Sequence, residues 1–236
     1  MKQVFIIIAA LSIFTSCTRP DFEYPESKIW AHRVNDTTAA MEKSKHFDGL
    51  EVDIFYSGYQ DKIFVGHDIE DTTNNLLLDD WFNYIRQPSQ KYFWIDAKNL
   101  DNNNAEAISQ NLLSIMNKHH MNDNIFVESP DVKALKTIKD AGLRVILWTE
   151  NIVWNNIDTT TWIEHTKKTI NKLHPDAISN EAEMFELLVR YFPEQNIHLW
   201  QTPASPNEEN KKITCKLCSN ESIKVVLVDY DEPIAY

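Results

Sequence analysis

A chain of 236 residues is long enough for one large domain or two small ones, and its 43% hydrophobic and 25% charged residues exclude wholesale disorder and a polytopic membrane protein. Only four glycines occur, with neither a dinucleotide-type nor a Walker-type glycine loop, which argues against nucleotide-binding enzymes of those classes. Against 35 acidic residues stand 23 basic ones, a formal net charge of −12 that gives no general electrostatic reason to bind nucleic acid.

Lys2 precedes an apolar run, Val4 to Phe14, too short to span a bilayer but suited to the apolar region of an export signal. The run ends in Thr15-Ser16-Cys17, and small residues before a cysteine resemble a bacterial lipoprotein cleavage box, in which Cys17 is lipidated and becomes the first residue. Residues 1–16 are therefore expected to be a lipoprotein-type signal peptide and 17–27 a tether, with residues 28–236 one barrel domain. The expected location is the bacterial cell envelope, periplasmic or surface-exposed, with the membrane reached through the N-terminal lipid anchor. An ordinary secretory signal is the plainer alternative. Cys215 and Cys218 form a lone CxxC; without a second Cys/His pair, a local disulfide or two reduced surface thiols is favoured over zinc.

Strand-like runs follow at Lys28–His32, Gly49–Phe55, Lys62–His67, Tyr92–Lys98, Asn124–Ser129, Leu143–Thr149, Asp176–Asn180 and Asn196–Gln201. Helical periodicity lies between them, clearest at Ala105–His119, Asp131–Ala141, Thr161–Leu173 and Glu181–Phe192. Strand alternating with helix predicts a parallel sheet with helical crossovers, and eight such strands favour an α/β fold of the (β/α)8 TIM-barrel type. A ninth run, Ile223–Tyr230, is left over as an extra C-terminal strand that extends or closes the barrel. The polar stretch Thr202–Asn210 before it reads as a loop.

Chemistry is carried by the strands. In Gly49–Phe55, Leu50, Val52 and Ile54 share one face and Glu51 and Asp53 the other. Two carboxylates pointing into a barrel are costly unless a cation neutralises them or one takes a proton. Tyr92–Lys98 repeats the arrangement with Asp96 and Lys98, while His32 and His67 each close a strand, and a barrel gathers such groups at one mouth. Each signal alone has a plain reading, as a solvated face, an ion pair or a structural histidine. Four consecutive strands ending in ionisable groups do not, because parallel strands normally continue the apolar core. Three hard oxygen donors suit Mg²⁺ or Ca²⁺, two histidines suit general acid and base, and Lys98 suits an anion; together they describe transfer or hydrolysis at a phosphodiester.

Trp30-Ala31-His32-Arg33, Gly49-Leu50-Glu51-Val52-Asp53, Gly66-His67-Asp68 and Asp96-Ala97-Lys98 resemble, in order and spacing, the signatures of the glycerophosphodiester phosphodiesterase-like superfamily of phospholipase-C-type TIM barrels. Ala31 to Asp36 and Asp96 are similar to the sphingomyelinase D branch, and Trp30 to Asn35 with Trp148-Thr149 to the menorin-like branch. The resemblance implies Glu51, Asp53 and Asp96 as metal ligands, His32 and His67 as the acid/base pair and Lys98 as a phosphate contact. It also points to Arg33, Trp148 and Asn180 as substrate-binding residues. Val34 stands where the superfamily has glycine, so specificity for glycerophosphodiesters is not implied. The expectation is a metal-dependent phosphoric diester hydrolase acting on a phosphodiester or phospholipid. A silent barrel that binds a phosphorylated headgroup or glycan, and a carboxylate glycosidase that needs no metal, are the other two classes.

Overall fold

The computed structural model describes residues 22–70, 75–200 and 205–236, so Cys17 and the signal region lie outside the described residues. The strands are β1 (Ile29–Ala31), β2 (Gly49–Ser57), β3 (Lys62–Val65), β4 (Tyr92–Ala97), β5 (Ile125–Ser129), β6 (Arg144–Trp148), β7 (Ala177–Glu181), β8 (Ile197–Trp200) and β9 (Ile223–Val228). Eight of them run parallel in the order β1-β2-β4-β5-β6-β7-β8-β9, and β9 pairs back onto β1 through Ile29↔Val226, Trp30↔Leu227 and Ala31↔Val228. This closes a (β/α)8 barrel.

The extra strand is β3, not the C-terminal run. It lies antiparallel on the upper half of β2, from Ser57↔Lys62 back to Ile54↔Val65, outside the ring. The ninth run supplies the missing barrel strand. Both changes have one cause: only Gly58 to Asp61 separate β2 from β3, and a parallel neighbour needs a crossover of a dozen residues or more.

Helices α1 (Thr37–Lys43), α2 (Leu78–Phe82), α3 (Ala105–Lys118), α4 (Val132–Asp140), α5 (Ile152–Asn155), α6 (Thr159–Leu173), α7 (Phe185–Tyr191) and α8 (Glu208–Cys218) fill the connections. Asp36, Asp131, Asn151, Asp158 and Asn207 each cap one, their side-chain oxygens accepting first-turn N–H groups. The expected polar loop after β8 thus runs into α8 at Glu208. Cys215 and Cys218 sit on α8 as free thiols, and Cys218 is packed in the core, where burial pushes its pKa up to about 12. No helix among the described residues is long and apolar enough to cross a membrane.

Alternation along the strands makes two apolar layers. Leu50, Val52 and Ile54 face the helices with Phe93, Ile95, Leu135 and Trp162. Inside the ring lie Trp30, Trp94, Phe126, Ile146, Ala177, Val225 and Leu227. Gly49 makes room for this filling: a Cβ there would come within 1.9 Å of the Trp30 ring. The floor is closed by the segment that precedes β1. Phe22 sets its ring edge-on against Tyr24, Tyr92 and Phe126 and takes the Arg144 guanidinium on its face, 4.6 Å from the centroid. Tyr24 joins its hydroxyl to His198 Nε2 at 3.0 Å.

Candidate active site

The residues expected at the site converge on the C-terminal rim of the barrel, Asn180 excepted. Glu51 and Asp53, from the inward face of β2, meet Asp96 from β4, which lies beside Asp53 in the sheet register. One oxygen from each carboxylate falls within 4.8 Å of the other two. Two oxygens on opposite sides of an ion with ligand distances of roughly 2.4 Å stand about that far apart, so the three fit a single Ca²⁺-sized or smaller cation.

Their surroundings fix the carboxylates before any ion arrives. Glu51 Oε2 accepts the Arg33 N–H at 2.6 Å, and Arg33 adopts a left-handed φ of 51° to aim it. Asn35 grips Asp53 at both ends: its Nδ2 donates to Oδ2 at 2.5 Å and its Oδ1 accepts the Asp53 N–H at 2.9 Å. Lys98 Nζ lies 2.8 Å from Asp53 Oδ1 and 2.5 Å from Asp96 Oδ2. Burial, then the charges of Asp53 and Asp96, push the Glu51 pKa well above the usual carboxylate range. Asp96 is also raised by burial, against the pull of Lys98. Burial opposes the charge on Lys98, but Asp96 and Asp53 outweigh it and its pKa rises. Acids held so reluctantly in their charged form are the donor chemistry of a cation site.

The histidines approach from two sides. His32 follows β1; its Nε2 is 4.0 Å from Glu51 Oε2, and its Nδ1 is 2.9 Å from Asp229 Oδ1, an ion-pair contact not aligned for a hydrogen bond. His67 arrives by the hairpin. β2 climbs past the rim and β3 descends, so that Gly66 donates its N–H to the Asp53 carbonyl at 3.0 Å and His67 lands beside the carboxylates. His67 Nδ1 is 3.2 Å from Asp68 Oδ2.

These groups share a cavity of about 250 Å³ with Arg33, Glu128, Trp148, Trp154 and Trp200. Trp148 ends β6 and is 40% exposed; Trp154 on α5 meets Trp200 edge-on at 5.8 Å, making one wall aromatic. Asn180 does not reach the cavity. It is fully buried, and its amide donates to the Thr149 carbonyl and hydroxyl and to the Glu150 carbonyl, which pins the loop carrying α5.

Trp154, Trp200, Asn35, Glu128 and Asp229 were not found by sequence reasoning. Asp229 follows the end of β9 as His32 follows β1, so the strand-end rule would have found it had the ninth run been placed in the ring. Glu128 is an isolated acid in an apolar strand. It accepts from Trp94 Nε1 at 2.9 Å and from the Ser179 hydroxyl, and burial followed by the Asp96 charge pushes its pKa up to about 8.

No protein-family model matches the sequence, and no curated protein does. Solved structures do match the fold. An Oleispira antarctica phosphodiesterase, solved with its product sn-glycerol-3-phosphate, is similar with a TM-score of 0.63 at 12% identity over 88% of this chain and 94% of that one. A glycerophosphodiester phosphodiesterase from Parabacteroides distasonis gives 0.62 at 11% over 86% and 92%. Orotidine 5'-monophosphate decarboxylase from Methanocaldococcus jannaschii gives 0.56 at 18% over 87% and 89%. At these identities the likeness concerns the barrel, which hosts unrelated reactions.

Proposed function

We propose that the chain is a metal-dependent phosphodiester hydrolase of the glycerophosphodiester phosphodiesterase type, acting on a glycerophosphodiester or phospholipid-like substrate. The observation that carries this reading is the meeting of Glu51, Asp53 and Asp96 with Lys98 and two histidines in one cavity. The likeness to the Oleispira and Parabacteroides phosphodiesterases supports it, as does the product bound in the former.

Glu51, Asp53 and Asp96 would hold Mg²⁺ or Ca²⁺, which when bound supplies charge stabilisation at a phosphoryl oxygen. Lys98, tied to Asp53 and Asp96, presents its ammonium to a second phosphoryl oxygen, and Arg33 lines the approach. Asp229 on the Nδ1 side of His32 leaves Nε2 toward the cavity, the placement of a proton acceptor. His32 takes the proton of the attacking water or substrate hydroxyl as its oxygen bonds to phosphorus. The bond from phosphorus to the leaving alcohol breaks, and His67 supplies that alcohol's proton.

A panel of glycerophosphodiesters, lysophospholipids and sphingomyelin, with and without chelator, tests the reading. Turnover is expected, lost to the chelator and restored by Mg²⁺ or Ca²⁺. Turnover indifferent to chelation would remove the metal and favour a carboxylate mechanism, and silence on every diester would leave a binding barrel. Calorimetric titration on the Glu51→Gln, Asp53→Asn double variant should show metal binding abolished.

We further infer that Cys17 is the acylated first residue of an envelope lipoprotein. Mass spectrometry of the mature chain should find it diacylated or triacylated, and Cys17→Ser should release the protein from the membrane fraction.

A further inference from the structure

A second cleft, of about 780 Å³, lies against the catalytic cavity on the β1 and β3 side. Asn35, Asp36, Asn75, Asp80, Asn83 and Tyr84 are among its walls. The partition between the two spaces is thin. Asn35, whose amide grips Asp53, lines the cleft, and so does Gly66, whose N–H bonds the Asp53 carbonyl and whose neighbour His67 faces the catalytic cavity. A diester with its phosphorus above the carboxylates can therefore lay one of its two alcohol groups over Asn35 and Gly66 into the cleft, away from the aromatic wall across the ring.

The lining dictates what that group is. Three asparagines and two aspartates line the space without a lysine or arginine among them; the Asn35 amide is held by Asp53 and the Asp36 carboxylate caps α1. Amide and carboxylate oxygens accept from hydroxyl groups and amide N–H groups donate to them, so adjacent hydroxyls can be bound in pairs. Tyr84, 47% exposed at the cleft wall, offers a ring face. Asp36 and Asp80 repel a second anion. The side that carries Trp148, Trp154 and Trp200 is the better match for an apolar or cationic group. Building on the phosphodiesterase reading, we propose that this cleft is a headgroup subsite for an uncharged, polyhydroxylated, sugar-like alcohol, and that this sets the substrate class.

The test compares glycerophosphoinositol with glycerophosphocholine and glycerophosphoethanolamine on the metal-loaded protein and on Asn83→Leu and Tyr84→Ala. Both substituted residues are exposed, so the fold should tolerate the changes. The expected kcat/KM is about tenfold or more higher for the inositol diester, and each variant should erase most of that ratio through KM, the scale of one or two lost hydrogen bonds. Equal use of the three, preference for the choline diester, or a ratio untouched in both variants would overturn the proposal. Calorimetric titration of His32→Ala with glycerophosphoinositol reads binding in the cleft with turnover slowed. Binding there that Asn83→Leu abolishes, in a protein that hydrolyses no diester, would sink the phosphodiesterase reading and keep the subsite; turnover of other diesters without such binding would do the reverse.

Discussion

At the scale of single residues, the site is a set of charges arranged to hold one another. Lys98 was expected to clamp phosphate, with an ion pair to neighbouring carboxylates as the plainer reading, and it lies close to both Asp53 and Asp96. Lys98→Met should leave buried Asp53 and partly exposed Asp96 without a counter-charge, lowering the stability of the metal-free protein by about 2 kcal/mol. Added metal should then raise the melting temperature more than it does in the unsubstituted protein. If the metal-free melting temperature stays put, the lysine is not the carboxylates' support; if turnover with bound metal also stays put, the phosphate contact goes too. His32→Ala and His67→Ala should each slow turnover by roughly 10²-fold or more, the scale of acid/base catalysis, with metal affinity retained. A loss under about threefold in both, measured at saturating substrate, would take the histidines out of the chemistry.

Among the elements, β2 does most of the positioning. It carries Gly49 under Trp30, Glu51 and Asp53 on its inward face, and an overlong end that returns His67 to the mouth. Gly49→Ala should force Trp30 out of place and destabilise the fold by on the order of 1–3 kcal/mol, visible as an earlier urea midpoint. An unchanged midpoint would mean that the inner layer has slack. The inward and outward faces of β2 and β4 were legible because a strand's period of two leaves no choice once one face is apolar. Strand direction was not legible from Lys62 to His67, whose residues fit either a parallel or a hairpin neighbour. The four residues before them, too few for a crossover, held the missing information. Helix α8 escaped notice because its buried side includes Asn210 and Thr214, which carry no apolar periodicity. The residues that Asn180 binds lie a strand away, so sequence alone could not separate a substrate contact from a loop pin.

For the molecule as a whole, the floor of the barrel sets an acid limit. Burial pushes the His198 pKa down to about 3, from about 6.5 in the unfolded chain. Between those values the unfolded state binds the extra proton, so this histidine's contribution to stability is intact above about pH 6.5 and drains away as the pH falls, by at most about 1.4 kcal/mol per unit. Glu128 acts in the opposite sense: its raised pKa makes the folded state the proton binder between about 4.5 and 8, and acidification through that window stabilises the fold. Urea midpoints from pH 7.5 to 4.5 on the unsubstituted protein and on His198→Gln separate the two. The advantage of histidine over glutamine should shrink steadily below pH 6.5, and a constant difference would show that His198 is protonated in the fold or is not buried.

Closure of the ring between β1 and β9 also bears on when the mouth of the barrel is complete. His32 donates its backbone N–H to the Val228 carbonyl at 2.9 Å and its ring stands beside Asp229, so the proposed proton acceptor is assembled from the first strand and the last. Contacts this distant in sequence carry a large loop-closure entropy and form late, whereas the β2–β3 hairpin that delivers His67 is local and fast. A partly synthesised or partly folded chain can thus present carboxylates and His67 while His32 still lacks its partner. On the proposed mechanism, the last piece of the acid/base pair is set in place by the final strand.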